Sequence, residues 1–79
     1  MIQVLFFGPV ADRVGQSTLS VDYQPNLSLQ QLRDTLAARY PQAFALVCMT
    51  AVNGQHVRDG AMLLADQSEV TFMAKFSGG

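Results

Sequence analysis

Seventy-nine residues, 49% of them apolar and 14% charged, with a net charge of −1, describe one small folded domain and exclude a disordered or low-complexity chain. The basic residues Arg13, Arg33, Arg39, Arg58 and Lys75 are scattered, so no nucleic-acid stripe forms, and no apolar run is long enough to span a membrane. A single cysteine rules out an internal disulfide. The apolar opening "MIQVLFFGPV" lacks the charged n-region and cleavage motif of an export signal, so the expected compartment is the cytoplasm.

The first element in chain order is "IQVLFF" (2–7), a nearly continuous apolar run closed by Gly8-Pro9, which predicts a strand buried on both faces or nearly so. "ADRVGQS" predicts a loop with at most one helical turn. In "TLSVDY" (18–23), Leu19, Val21 and Tyr23 alternate with Ser20 and Asp22, the pattern of a half-buried strand. A helix follows. Ser28 and Gln31 fit the S-x-x-Q capping box, and Leu27 with Leu32 fits the hydrophobic staple. Leu29, Leu32, Leu36 and Tyr40 make one apolar stripe opposite Gln30, Arg33, Asp34 and Arg39, and Pro41 ends the helix. Residues 43–47 predict a turn or bridging segment and 49–52 a strand. Asn53-Gly54 predicts a tight hairpin, because both residues accept positive φ. Residues 58–68 predict a loop, with room for a helical turn at 61–64, and 69–76 the last strand.

The order β-β-α-β-β-β predicts an α+β fold, a mixed sheet of about four to five strands with one main helix on one face. The first and last strands are the most apolar and are expected side by side at the sheet centre, which is the β-grasp arrangement. The domain is expected over 1–76, with 77–79 as an extended tail. One helix covers only one face. In the first strand Ile2, Val4 and Phe6 share a face, and in the last Val70, Phe72, Ala74 and Phe76 do so; these all-apolar sets are expected to meet the helix. Leu5, Phe7 and Met73 then lie on the uncovered face, either as a partner surface or beneath the 43–48 segment or a second copy.

Self-contained catalysis has little to work with. His56, the only histidine, reads as a solvated residue beside a turn, and Cys48, in an apolar run, as a small core hydrophobe. No carboxylate pair, metal set or phosphate loop is visible. What remains is the end of the chain, "VTFMAKFSGG". Glycine has no Cβ, so Gly78-Gly79 can thread a channel that any side chain would block. Four extended residues reach about 13–14 Å. The group offered at the tip is a carboxylate, which an ATP-using partner can convert to an acyl-adenylate; a sulfur nucleophile then gives a thiocarboxylate and an amine gives an amide.

The segments "VLFFGPVADRVG", "LSLQQLRDTLAARYP", "AVNG", "ADQSEVTF" and "SGG", in this order and spacing, resemble the small subunit of molybdopterin synthase (MoaD-like), a ubiquitin-like β-grasp family of sulfur carriers. The resemblance spans essentially the whole chain. It implies that Gly79 carries the adenylate and then the thiocarboxylate, that an E1-like adenylating enzyme activates it with ATP, and that the carrier itself binds no cofactor. It also implies that Lys75, Phe76, Ser77 and Gly78 enter the large synthase subunit to deliver sulfur to a pyranopterin precursor of molybdopterin, with Leu5, Phe7 and Met73 in the docking face. Two departures stand out. Ala74-Lys75-Phe76 occupies the place of the family's usual prolines, and Asp66-Gln67-Ser68-Glu69 lacks the glycine of the usual Asp-Gly-Asp-Glu turn. Related readings are a thiamin-thiazole sulfur carrier, a ubiquitin-like protein modifier joined to lysines, and a binding module with an idle tail.

Overall fold

Strand β1 (Ile2–Phe6) turns sharply at Gly8, whose φ of 57° suits a residue without a Cβ, into helix α1 (Pro9–Val14). The computed structural model of the chain describes residues 1–74. Helix α1 is longer than the single turn expected from the sequence. Pro9 stands in its first turn, where the missing N–H costs nothing, and Gly15 caps it in the left-handed conformation, donating to the Ala11 carbonyl at 2.9 Å. Strand β2 (Thr18–Val21) returns antiparallel to β1.

Helix α2 (Leu29–Arg39) begins as its sequence requires. Ser28 Oγ accepts from the Gln31 N–H at 3.1 Å, and Gln31 Oε1 accepts from the Ser28 N–H at 2.9 Å. Leu29, Leu32 and Leu36 are buried and Tyr40 partly so. Pro41 ends α2 but also opens a short helix, α3 (Pro41–Phe44), in place of the expected bridging turn, and Ala43 and Phe44 join the core.

Strand β3 (Val47–Val52) and strand β4 (Gln55–His56) form a hairpin over Asn53 and Gly54, with φ of 50° and 84° as their turn demands. The segment from 57 to 68 has no helical turn. It is an extended strap that bridges Ser28 through Leu63 and turns its carbonyls toward the start of α2. The N–H groups of Leu29 and Gln30 donate to the carbonyls of Met62 and Gly60 at 2.8 and 2.9 Å. With the Gln31 bond to Ser28 Oγ and the Leu32 bond to the Ser28 carbonyl, all four first-turn donors of α2 are satisfied. A loop that spends its carbonyls in this way cannot also close a helical turn of its own.

Strand β5 (Glu69–Ala74) enters the middle of the sheet, parallel to β1 and antiparallel to β3, and the five strands run in the order β2-β1-β5-β3-β4. The first and last strands are therefore neighbours, as their apolar character predicts. The continuation expected to residue 76 lies outside the described residues.

Parity holds. Ile2, Val4, Phe6, Val70, Phe72 and Ala74 face the helices and are buried. Phe6, Phe44 and Phe72 form the centre: the Phe6 and Phe72 rings stack at 6.2 Å, and Phe44 meets Phe72 edge-on at 4.9 Å. Each such ring contributes up to about 3 kcal/mol by leaving water, a large share in so thin a core.

The turn into β5 runs through Gln67, whose φ of 69° is left-handed and whose N–H donates to the Met1 carbonyl at 3.0 Å. A conformation that suits glycine is thus kept here by a residue that strains in it. A left-handed L-residue costs about 1–2 kcal/mol, and glycine's extra freedom in the unfolded chain returns about 0.5–1 kcal/mol of that. Gln67→Gly is expected to stabilise the domain by about 0.5–1 kcal/mol, raising Tm by a few degrees. A thermal melt with unchanged or lower Tm would count against strain at this turn. The same turn is tied by the Met1 ammonium, which donates to Asp66 Oδ1 at 2.7 Å and holds that carboxyl below its usual value. Both partners are about half exposed, so the pair is a weak one. Its contribution is present at neutral pH and disappears in acid, as pH falls through the lowered folded-state value.

Candidate functional site

All three helices contribute buried residues to the one core, so no described element covers the opposite face of the sheet. Across it the register sets Thr18, Leu5, Thr71, Ala51 and His56 in one row over the five strands. In the next row Met73 lies opposite Met49, and Phe7 follows directly on β1, one residue past the Phe6–Phe72 pairing. Leu5 and Met73 are half-buried by their neighbours, while Phe7 is 50% and Met49 36% exposed. Thr71 and Ala51, in the central strands, are buried between them without any covering layer among the described residues. The expected set of Leu5, Phe7 and Met73 is thus brought together on one uncovered surface. The 43–48 segment does not cover it, because α3 folds onto the helix side and buries Ala43 and Phe44 there.

Met49 joins this surface through a feature that alternation alone does not reveal. Val47 pairs with Ala74 and Met49 with Met73, leaving Cys48 as the extra residue of a β-bulge. The bulge reverses the parity of β3: Val47 faces the core, Met49 the open face, and Thr50 the core again. It also corrects the reading of Cys48 as a core residue. The extra residue of the bulge lies outside the regular alternation, and Cys48 is exposed, its thiol donating to the Leu46 carbonyl at 3.6 Å. The cue available in the sequence was the apolar run "LVCMTAV", too long and unbroken for a strand with one bare face.

His56 sits exposed at the end of the short edge strand β4, as expected. Among the described residues no three His, Cys, Asp or Glu side chains gather closely enough to hold a metal ion. No described helix is long and apolar enough to cross a membrane. The expected tail residues Lys75, Phe76, Ser77, Gly78 and Gly79 lie outside the described residues. What the described part supplies is their base: β5, hydrogen-bonded on both sides and central in the sheet, runs to Ala74 immediately before them.

A five-stranded mixed sheet whose central strand leads to the C-terminal residues, with helices on one face and an apolar second face, defines a ubiquitin-like β-grasp protein. Solved structures share this fold over nearly all of both chains. The small archaeal modifier protein SAMP1 from Haloferax volcanii superimposes with a TM-score of 0.82 at 20% identity, covering 99% of this chain and 98% of that one. Subunit 1 or 2 in the Helicobacter pylori complex of molybdopterin-converting factor does so with a TM-score of 0.74 at 23% identity, covering 99% of this chain and 97% of that one. The chain belongs to the ThiS family, whose profile matches residues 4–79 and so includes the Gly-Gly end. Among curated relatives, the molybdopterin synthase sulfur carrier subunit of Caenorhabditis elegans is 30% identical over 81 residues, covering 99% of this chain and 96% of the relative. The resemblance drawn from the sequence motifs therefore holds.

Proposed function

We propose that this protein is the sulfur-carrying small subunit of a molybdopterin synthase, working through the carboxylate of Gly79. The observation that carries the reading is the near end-to-end match to a molybdopterin synthase sulfur carrier, within a family whose profile extends through Gly78-Gly79. In the activation step a Gly79 carboxylate oxygen attacks the α-phosphorus of ATP on an E1-like adenylating enzyme, and pyrophosphate leaves. A sulfide-equivalent nucleophile from a donor then attacks the acyl carbon and AMP departs, leaving a thiocarboxylate. Its sulfur passes to the pyranopterin precursor in the large subunit, and water restores the carboxylate. The small subunit supplies reach, a slim backbone and a docking face, while its partners supply the catalytic groups.

Intact-mass analysis after co-expression with a cognate activating enzyme is expected to reveal one oxygen exchanged for sulfur at Gly79. Persistent absence of that species beside a demonstrably active activator would exclude a sulfur carrier. Higher-mass lysine conjugates that require Gly79 would instead establish a protein modifier, and transfer to a thiazole precursor would place the chain in thiamin synthesis.

In this reading the open face docks the large subunit. Phe7→Asp sets a charge among Leu5, Met49 and Met73, where a docked partner would desolvate it. Affinity for the large subunit is expected to fall by at least about 2 kcal/mol, some 30-fold, as for loss of an aromatic anchor. Phe7 is half exposed, so stability is expected to change by no more than about 0.5 kcal/mol. Calorimetric titration and a thermal melt on the same sample separate the two effects, and global unfolding of the variant would place Phe7 in the core instead.

A further inference from the structure

Three of the chain's six Lys, Arg and His residues converge on one cleft, at the edge of the sheet away from β2. It has a volume of about 470 Å³ and lies between the first turns of α2, strand β3 with its bulge, β4 and the start of the strap. Arg33 from α2, His56 from β4 and Arg58 from the strap line it, above a floor that includes Leu29, Met49 and Val57. Among the described residues no carboxylate lines it. The two acidic side chains adjacent in sequence are engaged elsewhere: Asp34 Oδ1 accepts from Gln30 Nε2 at 2.8 Å, and Asp59 Oδ1 accepts from the Ala61 N–H at 2.9 Å. Among the described residues neither Arg33 nor Arg58 forms an ion pair. In a chain of net charge −1, this concentrates uncompensated cations at one place.

We infer that this cleft receives an acidic segment of a partner protein, whose carboxylates pair with Arg33 and Arg58 while its apolar side chains rest on Met49 and Val57. Two observations favour a peptide over a small phosphate. A phosphate cradle is built from convergent backbone N–H groups, and those at the nearby start of α2 are already taken by Gly60, Met62 and Ser28. What is left is side-chain donors carried on three separate elements, which suits carboxylates spaced along a chain. Met49, moreover, belongs both to the cleft and to the open apolar face, so a protein docked on that face continues round the β3–β4 edge into the cleft. The inference deepens the docking part of the proposed function and does not depend on sulfur chemistry.

The test is an amide-resolved NMR titration of the full chain with a synthetic acidic peptide, glutamates interleaved with leucines, beside a parallel titration with inorganic phosphate. Saturable shifts are expected at Arg33, Met49, His56 and Arg58 with the peptide, and binding about tenfold weaker in the Arg33→Glu/Arg58→Glu double variant. A thermal melt of the double variant confirms that it is folded. Absence of saturable shifts at these amides, equal peptide affinity in the folded double variant, or saturable phosphate binding tighter than the peptide would each overturn the proposal. None of these results bears on thiocarboxylate formation, so failure here leaves the carrier reading standing, and failure of that reading leaves the cleft result intact.

Discussion

Removal of Gly79 alone is expected to abolish sulfur transfer and to leave the folding transition where it is. The truncated chain still ends in a glycine carboxylate, so the chemistry of the end group is unchanged. What changes is reach, shortened by one extended residue, about 3.3–3.6 Å. Reacting atoms must approach to about 3–3.5 Å, and a misplacement of 1 Å can already cost about 10²-fold, so a full residue is a larger error than an active site absorbs. The stability side follows from packing: the core cluster includes Ala74 as its last described member, five residues before the deletion. Single-turnover transfer to the large subunit, measured beside a thermal melt, checks both halves. Retained transfer would show that Gly79 is not the acylated residue.

The largest stability effect is expected at Phe72. Its side chain is 0% exposed, it lies on the central strand, and its ring touches both Phe6 and Phe44. Phe72→Ala removes the ring from the middle of this cluster and leaves a cavity, a change that costs about 3–5 kcal/mol in well-packed cores. At roughly 0.05–0.15 kcal/mol per residue, a domain of this size holds about 4–12 kcal/mol in all. The variant is therefore expected to be largely unfolded at the lower end of that range and melted far below the parent at the upper end. Urea denaturation followed by circular dichroism measures the difference, and a loss under about 1.5 kcal/mol would mean that the core collapses around the missing ring. Phe72 and Phe7 make a sharp pair: the same residue type, within β5 and just after the neighbouring β1, is expected to fail by unfolding at one position and by lost binding at the other.

The features readable in the sequence are those encoded within a few residues. Ser28 and Gln31 announced their capping box because both halves lie within one turn, and Asn53-Gly54 announced its hairpin because turn type and φ are local. The alternation of Ile2, Val4 and Phe6 against Leu5 and Phe7 was enough to separate the covered face from the open one, since side chains on a strand alternate whatever it pairs with. Features set by contacts distant in sequence were not legible. Cys48 became a bulge only because Val47 and Met49 must both register against β5. The strap at 57–68 gave up its helical turn because α2 needed its carbonyls. Gln67 adopts a glycine's conformation because the turn must return to Met1. The site followed the same division, with the apolar patch visible from alternation and the cationic cleft assembled from α2, β4 and the strap only on folding.

The parallel pairing of β1 with β5 gives the molecule a working pole and an idle one. Met1 is bonded to Gln67, beside the entrance to β5, whereas Ala74 lies five residues along that strand from Glu69, roughly 17 Å away at strand spacing. A fusion partner or affinity tag joined ahead of Met1 stands clear of Ala74, the last described residue of β5, and sacrifices only a solvent-exposed contact with Asp66. The same bulk appended after Gly79 would cap the carboxylate on which the proposed carrier chemistry depends, so under that proposal reporter design has one permissible end.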